Sequence, residues 1–309
     1  MAFRLGIIGL GKIAQDQHLP VVAKNGDFKL AAVVSSRAAD LGVPAFRTPG
    51  ELFASGIKLD AVSLCMPPEP RFAIARDALD HGLHVLMEKP PTPTMGELDA
   101  IAKHAASRQR ILFTTWHSQY NAAVDEAKRL LSGKRVTRLH VSWKEDVRHW
   151  HPGQEWIWEP GGFGVFDPGI NAFSIVTKIL PQPIFVQAAE LETPANKSTP
   201  IAARITFKPS WNESARLTAD LDWRQTGEQS WNIDVATADG LELQLRKGGT
   251  ELYVGGVLKT AAPMAEYEGI YAHFADLLRS GASHVDGAPL QLVSDCFMMG
   301  RRSETAAFL

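Results

Sequence analysis

This sequence has little cysteine, little net charge and no long apolar run, and each shortage excludes a class of protein. Cysteine occurs twice in 309 residues, at Cys65 and Cys296, so no disulfide framework is expected. The formal net charge of −2 argues against a large surface for nucleic acid. No run reaches the length of a membrane span, and residues 1–10 lack the core of a secretory signal. We therefore expect a cytoplasmic enzyme without nucleic-acid or membrane partners.

The first 117 residues alternate short apolar runs with amphipathic segments. The runs predict strands that are buried on both faces of a parallel sheet, at 4–10, 30–36, 59–66, 84–88 and 111–117. The segments between them predict helices at 12–24, 71–82 and 96–108. This alternation predicts a doubly wound α/β domain over residues 1–118.

A different pattern follows over residues 119–309, where a second domain is expected. A helix at 122–133 and a strand at 135–146 precede a loop at 147–166 that is rich in Trp, His, Pro and Gly. A helix is predicted at 168–180 and two more at 265–280 and 289–307. Alternating segments predict a mostly antiparallel sheet from strands at 201–207, 215–223, 230–237, 241–247 and 251–256.

The first predicted strand ends in the sequence GLGKIA, which spans Gly9 to Ala14. This is a GxGxxA pattern between a strand and a helix, the context in which it binds a dinucleotide. Gly9 would permit the tight turn, and Gly11 would let the backbone approach a pyrophosphate at the helix N-terminus. We assign Lys12, Ile13 and Ala14 to the same cofactor site, and the alternative is a structural turn only.

The residues after the second predicted strand bear on which cofactor is bound. An acidic residue there is typical of NAD, because it accepts from the ribose 2′-hydroxyl. This sequence has Ser35, Ser36 and Arg37 instead, which suit a 2′-phosphate through charge-assisted hydrogen bonds. We predict that NADP is accepted, alone or alongside NAD. The alternative is that Arg37 is a solvated loop charge.

The fourth predicted strand runs into Glu88, Lys89 and Pro90, at the edge of the sheet where ligands bind in such folds. A Lys-Pro peptide bond can be cis, which would make a rigid bend. Lys89 could hydrogen-bond both a cofactor ribose and a substrate hydroxyl. We add Pro67, Glu88 and Lys89 to the predicted cofactor site, and an ordinary salt-bridged loop is the alternative.

The stretch VFDPGIN places Asp167 and Asn171 four residues apart, and therefore on one face of a helix. The simplest interpretation is a helix N-terminus, because Asp is a common cap and Pro168 suits the next position. The glycine-rich GGFG before it and the motifs elsewhere favour a catalytic pair.

Three motifs in order resemble one family. GxGxxA, EKP and GGxGxxDxGxN are similar to those of the Gfo/Idh/MocA oxidoreductases, over the whole chain. The resemblance implies a Rossmann domain, then an α/β domain built on a large open sheet. It also implies a homodimer, with an apolar sheet face covered by a second copy. The segment from SWKEDVRHWHP to AFSIVTKILP resembles the members that oxidise D-galactose or L-arabinose, and D-fucose with them, at C1 to a lactone with NAD or NADP.

One position departs from many members of that family, in which histidine stands four residues after the aspartate and is assigned to proton transfer. Asn171 occupies that position here, and an amide has no useful proton affinity. We therefore predict Asp167 as the general base, with Asn171 orienting it. Lys89 would stabilise the developing oxyanion, and it is also the competing candidate for the base.

The sugar contacts implied by the resemblance are His117, Glu145 and His151, with Trp150 and Trp231 against the apolar face of the ring. Each has an ordinary structural alternative: a satisfied histidine between domains, a surface ion pair, a loop residue, or core packing. His149 and His151 lack a familiar zinc spacing, so no metal is expected. Two other functions stay open: a polyol dehydrogenase of the same family, and a non-catalytic NADP-binding sensor.

Overall fold

The computed structural model describes residues 2–37, 40–211 and 214–309. The strands within these ranges are β1 (Phe3–Ile8), β2 (Phe28–Val34), β3 (Ala45–Phe46), β4 (Ala61–Leu64), β5 (His84–Met87), β6 (Leu112–Thr114), β7 (Val136–Lys144), β8 (Ile184–Pro194), β9 (Ala202–Pro209), β10 (Arg216–Asp222), β11 (Ser230–Thr237), β12 (Glu242–Arg246), β13 (Glu251–Val254), β14 (Val257–Ala261) and β15 (Gly300–Thr305).

The α-helices of the same ranges are α1 (Leu19–Lys24), α2 (Pro49–Ala54), α3 (Arg71–Asp80), α4 (Met95–Ser107), α5 (Ala122–Leu131), α6 (Val147–Trp150), α7 (Phe166–Ile179), α8 (Glu266–Ser280) and α9 (Ala288–Met299). A π-helical segment, Ala14–His18, leads into α1. Short 3₁₀ turns occupy His117–Tyr120, Glu155–Trp158 and Lys247–Gly249. Among these described helices, none is long and apolar enough to cross a membrane.

The chain folds as two compact units. The first unit contains residues 1–117 and 266–287, and the second contains 118–265 and 288–309. The boundary near residue 118 is therefore close to the predicted one, but residues 266–287 belong with the first unit instead of the second. The reason is the apolar face of α8: Phe274 stacks on Phe28 of β2 at 5.6 Å, and Tyr271 meets the same ring at 5.2 Å.

The sheet of the first unit confirms the predicted doubly wound architecture. Its six strands are all parallel, in the order β3-β2-β1-β4-β5-β6. Central residues such as Ile7, Leu64 and Val85 have no solvent exposure, as expected for strands covered on both faces. The carboxyl ends of β1, β2, β4 and β5 therefore lie along one edge, which is the edge that binds ligands in such sheets.

The sheet of the second unit is mostly antiparallel, as predicted. Its nine strands follow the order β14-β13-β12-β11-β7-β10-β9-β8-β15, and only the β7–β10 and β8–β15 pairs are parallel within the described residues. One face packs against α7 and α9, and α7 in turn packs against α5. Alternate residues of β10, which are Leu217, Ala219 and Leu221, fill the covered side.

Residues 300–305 correct the prediction of a helix over 289–307. The helix α9 ends at Met299, before Gly300, and the chain continues as β15, which pairs with β8 and forms the edge of the sheet.

Three further strands, β3, β8 and β14, were not predicted, for two reasons. β8 carries an irregularity between Val186 and Ala188 that breaks its alternation, and the two-residue β3 and the exposed β14 show little burial pattern.

The outer face of the second sheet also differs from expectation, because it is polar instead of apolar. Arg246 pairs with Asp234 at 2.6 Å, and the His140 ring bonds the Thr218 hydroxyl at 2.9 Å. Strand alternation sends the apolar side chains to the covered side and leaves charged ones outside. The homodimer through this sheet stays a prediction, and an apolar face no longer supports it.

Candidate functional site

The glycine loop after β1 has the geometry that a dinucleotide cradle needs. Gly9 has φ of +93°, and a Cβ there would lie 2.8 Å from the backbone nitrogen of Met66. A Cβ at Gly11 would meet no protein atom within 4 Å, so the backbone there is open to a ligand. Ala14 is fully buried, Ile13 is half-buried, and the exposed Lys12 pairs with Asp16. These residues fit a bound pyrophosphate.

The residues that follow the central strands lie at the same edge of the sheet. Ser36 and Arg37 are exposed after β2, where the Arg37 amide bonds the Ser35 hydroxyl at 3.1 Å. Pro67 is exposed after β4, and Glu88 and Lys89 follow β5. The structure therefore places the predicted cofactor residues of the first unit along one edge.

Glu88 is turned into the protein and forms the centre of a buried hydrogen-bond network. Its Oε1 lies 3.0 Å from Nε2 of His18 and accepts from the Tyr267 hydroxyl at 2.9 Å. Its Oε2 accepts from the backbone amide of Lys89 at 3.0 Å. The carboxylate thus has three partners within the first unit, and this arrangement suits holding the Lys89 backbone. A direct cofactor contact by Glu88 stays a prediction.

The network extends on both sides of Glu88. Nδ1 of His18 lies 2.8 Å from the Tyr271 hydroxyl, which in turn is 3.1 Å from the Ser63 hydroxyl. On the other side, the Arg71 guanidinium donates to the carbonyls of Glu88 and Pro90. The Lys89–Pro90 peptide bond is cis, the bend that the sequence allowed. Backbone on both sides of Lys89 is therefore fixed by buried side chains.

The pKa values of Glu88 and His18 move in opposite directions. Burial opposes ionisation of Glu88, but the hydrogen bond from His18, together with nearby positive charge on His18, His117 and Arg71, lowers its pKa to about 2. Burial also opposes protonation of His18, yet interactions with Cys65, Tyr271 and Glu88 raise its pKa well above 6.5. Both shifts favour a charge pair of ionised Glu88 and protonated His18, and a protonated His18 donates from both ring nitrogens.

His117, a predicted sugar contact, lies just after β6 and pairs with Glu266 at the start of α8. Its Nδ1 is 2.8 Å from Oε2 of Glu266. Burial alone would lower the pKa of His117, but the Glu266 carboxylate and the charge on Glu88 raise it. One ring nitrogen is thus engaged by Glu266, and the sugar contact by His117 stays a prediction.

Asp167 lies in the first turn of α7 and is buried. The N-cap is Val165, which offers no side-chain acceptor, and Asp167 is a first-turn acid, so the helix N-terminus of the simplest interpretation is present without Asp167 as its cap. A tight loop sets its position: the Val165 amide bonds the Pro200 carbonyl at 2.7 Å. Gly164 has φ of +54°, and a Cβ there would lie 2.3 Å from that carbonyl. Asn171 is half-buried one turn further along the same helix.

His151 stands between two buried carboxylates of the second unit. Its Nε2 is 3.8 Å from Oδ2 of Asp167 and 3.7 Å from Oε1 of Glu145. His151 follows α6, whereas Glu145 follows the end of β7 and Asp167 lies in the first turn of α7. Three polar residues predicted from separate stretches of sequence therefore meet at one point.

Two indole groups fix the Glu145 carboxylate. Nε1 of Trp231 donates to Oε2 at 2.8 Å, and Nε1 of Trp223 donates to Oε1 at 3.3 Å. Trp150 packs edge-on against Trp231 with ring centroids 5.5 Å apart, and it keeps 40% of its surface exposed. Aromatic faces beside buried polar groups are suited to a sugar ring, which has apolar and hydroxyl-bearing surfaces.

Sequence reasoning did not single out several of these residues, namely His18, Trp223, Tyr267, Tyr271 and Glu266. Trp223 could have been predicted from its position, because it directly follows β10. The strand β10 runs parallel to β7, and the two strands end side by side, so Trp223 lies next to Glu145. The two tyrosines and Glu266 had no such signal, because a helical pattern at 266–280 does not tell which unit the helix covers.

Within the described residues, no group of three or more His, Cys, Asp or Glu side chains has an arrangement that could hold a metal ion.

Known proteins similar to this chain agree with the fold. Residues 3–116 match the family described as oxidoreductase family, NAD-binding Rossmann fold. Over 99% of this chain and 98% of the relative, the sequence is 43% identical to a galactose 1-dehydrogenase from Pseudomonas fluorescens. The chain belongs to the Gfo/Idh/MocA oxidoreductase family.

Solved structures of similar shape include another member close to this one. The crystal structure of a D-galactose-1-dehydrogenase from Rhizobium etli superposes with a TM-score of 0.93 and 47% identity, over 100% of this chain and 98% of that one. A 3-ketoreductase from Actinomadura kijaniata, solved with NADP and TDP-benzene, shares the fold at a TM-score of 0.84 and 14% identity, over 99% and 100% of the two chains. These solved structures therefore share the fold of this chain over nearly its full length.

Replacing Glu88 by glutamine should lower stability in a pH-dependent way. Ionised Glu88 stabilises the fold fully above pH 4.5, its ordinary pKa, and this contribution is lost as pH falls towards about 2. Protonated His18 stabilises the fold fully below pH 6.5, and its contribution is lost as pH rises through its raised pKa. The difference in unfolding free energy between wild type and Glu88→Gln should therefore be largest, ~3 kcal/mol, between pH 4.5 and 6.5.

Urea unfolding from pH 3 to pH 8 measures this difference. Glu69→Gln, at an exposed glutamate of the same unit, removes one negative charge and should change stability little. A Glu88→Gln difference that is independent of pH would show that the His18–Glu88 pair is not ionic.

Proposed function

We propose that this protein oxidises the anomeric C1 hydroxyl of an aldopyranose to the sugar lactone, with a nicotinamide dinucleotide as hydride acceptor. The observation that carries the proposal is the half-buried His151 between the buried carboxylates of Asp167 and Glu145, in a chain 43% identical to a galactose 1-dehydrogenase. D-galactose and L-arabinose are the expected substrates, and D-fucose is a further one. The three share ring configuration at C1 to C4 and differ only in the group on C5.

Asp167 is the proposed general base. Oxidation at C1 requires a base that removes the proton of the C1 hydroxyl as hydride leaves the carbon. Asp167 is buried at the start of a helix, within 3.8 Å of an imidazole that can share or balance its charge. Asn171, one turn along, would donate to the carboxylate or the sugar oxygen. Lys89 would stabilise the oxyanion, and it is the alternative base.

The sugar would be recognised by groups that are already fixed before it binds. Glu145 is held by two indole N–H groups, so little side-chain freedom is lost when it accepts from sugar hydroxyls. Trp150 and Trp231 supply an aromatic surface for the ring, and His151 and His117 supply further polar contacts. L-arabinose lacks the C6 hydroxymethyl group of D-galactose, and a pocket whose polar contacts are all to the shared hydroxyls loses only about 10- to 200-fold when that group is absent, which is why both sugars are proposed.

The first unit would hold the cofactor through Gly9, Gly11, Lys12, Ile13 and Ala14 at the glycine loop, with Pro67 and Lys89 along the same edge. A bound nicotinamide supplies the acceptor for the hydride from C1. Ser36 and Arg37 support acceptance of NADP, because neither can act as the acidic partner that favours NAD. NAD as a second cofactor is part of the same proposal.

A panel of sugars tests the proposed substrate class. The purified protein is mixed with D-galactose, L-arabinose, D-glucose and myo-inositol, each with NAD and with NADP, and nicotinamide absorbance is followed. We expect fast reduction with the first two sugars and little with the last two, because glucose differs at the C4 hydroxyl and inositol has no anomeric carbon. Rapid oxidation of myo-inositol would favour a polyol dehydrogenase instead. Tight cofactor binding with no reduction on any sugar would favour a sensor.

Replacing Asp167 by asparagine tests the assignment of the base. We expect kcat to fall about 10²- to 10⁴-fold, the usual contribution of a positioned base, with the cofactor Kd unchanged. The change keeps the size of the side chain and removes its proton affinity, so the limb of the pH–rate profile that reports the base should disappear. Steady-state kinetics from pH 5 to pH 10 measure both effects.

Asp220→Asn is the matched control, because it makes the same change in the same unit, in β10 on the outer face of the second unit's sheet. It should leave kcat near the wild-type value. If Asp167→Asn retains near-normal turnover while Lys89→Met loses the pH-dependent limb, then Lys89 is the base and the assignment to Asp167 is wrong.

A further inference from the structure

A second arginine lies beside the loop that follows β2. The edge strand β3 pairs in parallel with β2 through Val33 with Ala45 and Val34 with Phe46, and the Ser35 amide bonds the Phe46 carbonyl at 2.9 Å. The next residue after Phe46 is Arg47. Parallel pairing therefore brings Arg47 to the carboxyl edge of the sheet, beside Ser35, although eleven residues of sequence separate them.

The Arg47 side chain folds back onto this loop. Its Nη1 donates to the backbone carbonyl of Ser36 at 2.5 Å, while its own backbone amide bonds the Glu51 carboxylate at 2.8 Å. Both Arg37 and Arg47 are exposed, and within the described ranges neither guanidinium forms an ion pair with a carboxylate. Two arginine side chains thus start from one loop region, and among the described residues neither guanidinium is paired with a carboxylate.

This arrangement has the chemistry of a phosphate-binding site. A guanidinium has five N–H donors in a planar fork that matches a phosphate group, and here Ser36 uses one of those of Arg47. A ribose 2′-hydroxyl needs no positive charge, whereas a 2′-phosphate gains from each charge-assisted hydrogen bond. The hydrogen bond to Ser36 also holds the Arg47 guanidinium beside the serine that was predicted to contact the 2′-substituent.

We propose that Arg47 determines cofactor specificity by binding the 2′-phosphate of NADP together with Ser36 and Arg37. This inference rests on the proposed function, in which the first unit binds NADP. A guanidinium contributed by the neighbouring strand adds a contact that the residues following β2 do not supply. Arg47 contacts only the 2′-phosphate in this proposal, so replacing it should not weaken binding of the part that NAD and NADP have in common.

Calorimetric titration of NADP and NAD into wild type and Arg47→Gln tests the proposal without relying on turnover. We expect Arg47→Gln to raise the Kd for NADP about 10- to 100-fold, as for one lost charge-assisted contact, and to change the Kd for NAD less than about twofold. Arg47→Lys should recover only part of the NADP affinity, because an ammonium cannot form the bidentate contact. Arg37→Gln should show a loss for NADP of the same kind.

Arg76→Gln is the matched control, since Arg76 is an exposed arginine on α3 of the same unit. It removes one positive charge and should shift NADP affinity little. An equal loss of NADP and NAD affinity in Arg47→Gln would mean that Arg47 only braces the loop, and an unchanged NADP Kd would mean that it has no role. Either result overturns the inference but leaves the proposed function. Wild type that does not bind NADP would overturn both the inference and the proposed acceptance of NADP.

Discussion

The hydrogen bonds that satisfy the buried carboxylate of Glu88 are the interactions on which the first unit most depends. Burying an ionised carboxylate costs several kcal/mol unless hydrogen bonds and opposite charge replace the lost water. Here His18, Tyr267 and the Lys89 amide supply these partners, and they come from the helix after the glycine loop, from α8, and from the turn after β5. The same carboxylate therefore joins the loop proposed to hold the cofactor to the lysine proposed to act in the reaction. It also explains why residues 266–287 belong with this unit, since α8 supplies one of the partners.

The second unit uses two buried carboxylates in different ways. Glu145 has an indole donor on each oxygen and is fixed in place, which suits recognition of hydroxyl groups. Asp167 is positioned by the backbone, through the tight loop before α7 and the first turn of that helix. His151 lies between them, and when protonated it would offset the repulsion of two negative charges. The proposed recognition group, Glu145, and the proposed proton acceptor, Asp167, can thus lie close together without being interchangeable, because their surroundings differ.

The sequence was sufficient for much of the fold and for many candidate site residues, for identifiable reasons. The buried parallel strands of the first unit are recognisable in the sequence as short apolar runs. Gly9 is recognisable as the first glycine of the GxGxxA pattern, and the structure shows that a side chain there would collide with Met66. Contacts between distant segments leave no such local signal. His18 looks like a polar residue on an amphipathic helix until Glu88 and Tyr271 are found on its two ring nitrogens. Arg47 reaches Ser36 only because a two-residue edge strand was formed. The helix predicted over 289–307 was too long because residues 300–305 have a pairing partner, β8, more than 100 residues earlier.

The central claim is that hydride leaves the anomeric carbon, and an isotope label tests it most directly. D-galactose carrying deuterium at C1, and separately at C3, is incubated with the protein and NADP, and the reduced cofactor is examined by mass spectrometry. The account predicts that the cofactor gains one deuterium from the C1-labelled sugar and none from the C3-labelled sugar, while the sugar product carries a lactone carbonyl at C1. Transfer of deuterium from C3, with the C1 label retained in the product, would contradict it and would make this protein a dehydrogenase of a ring hydroxyl.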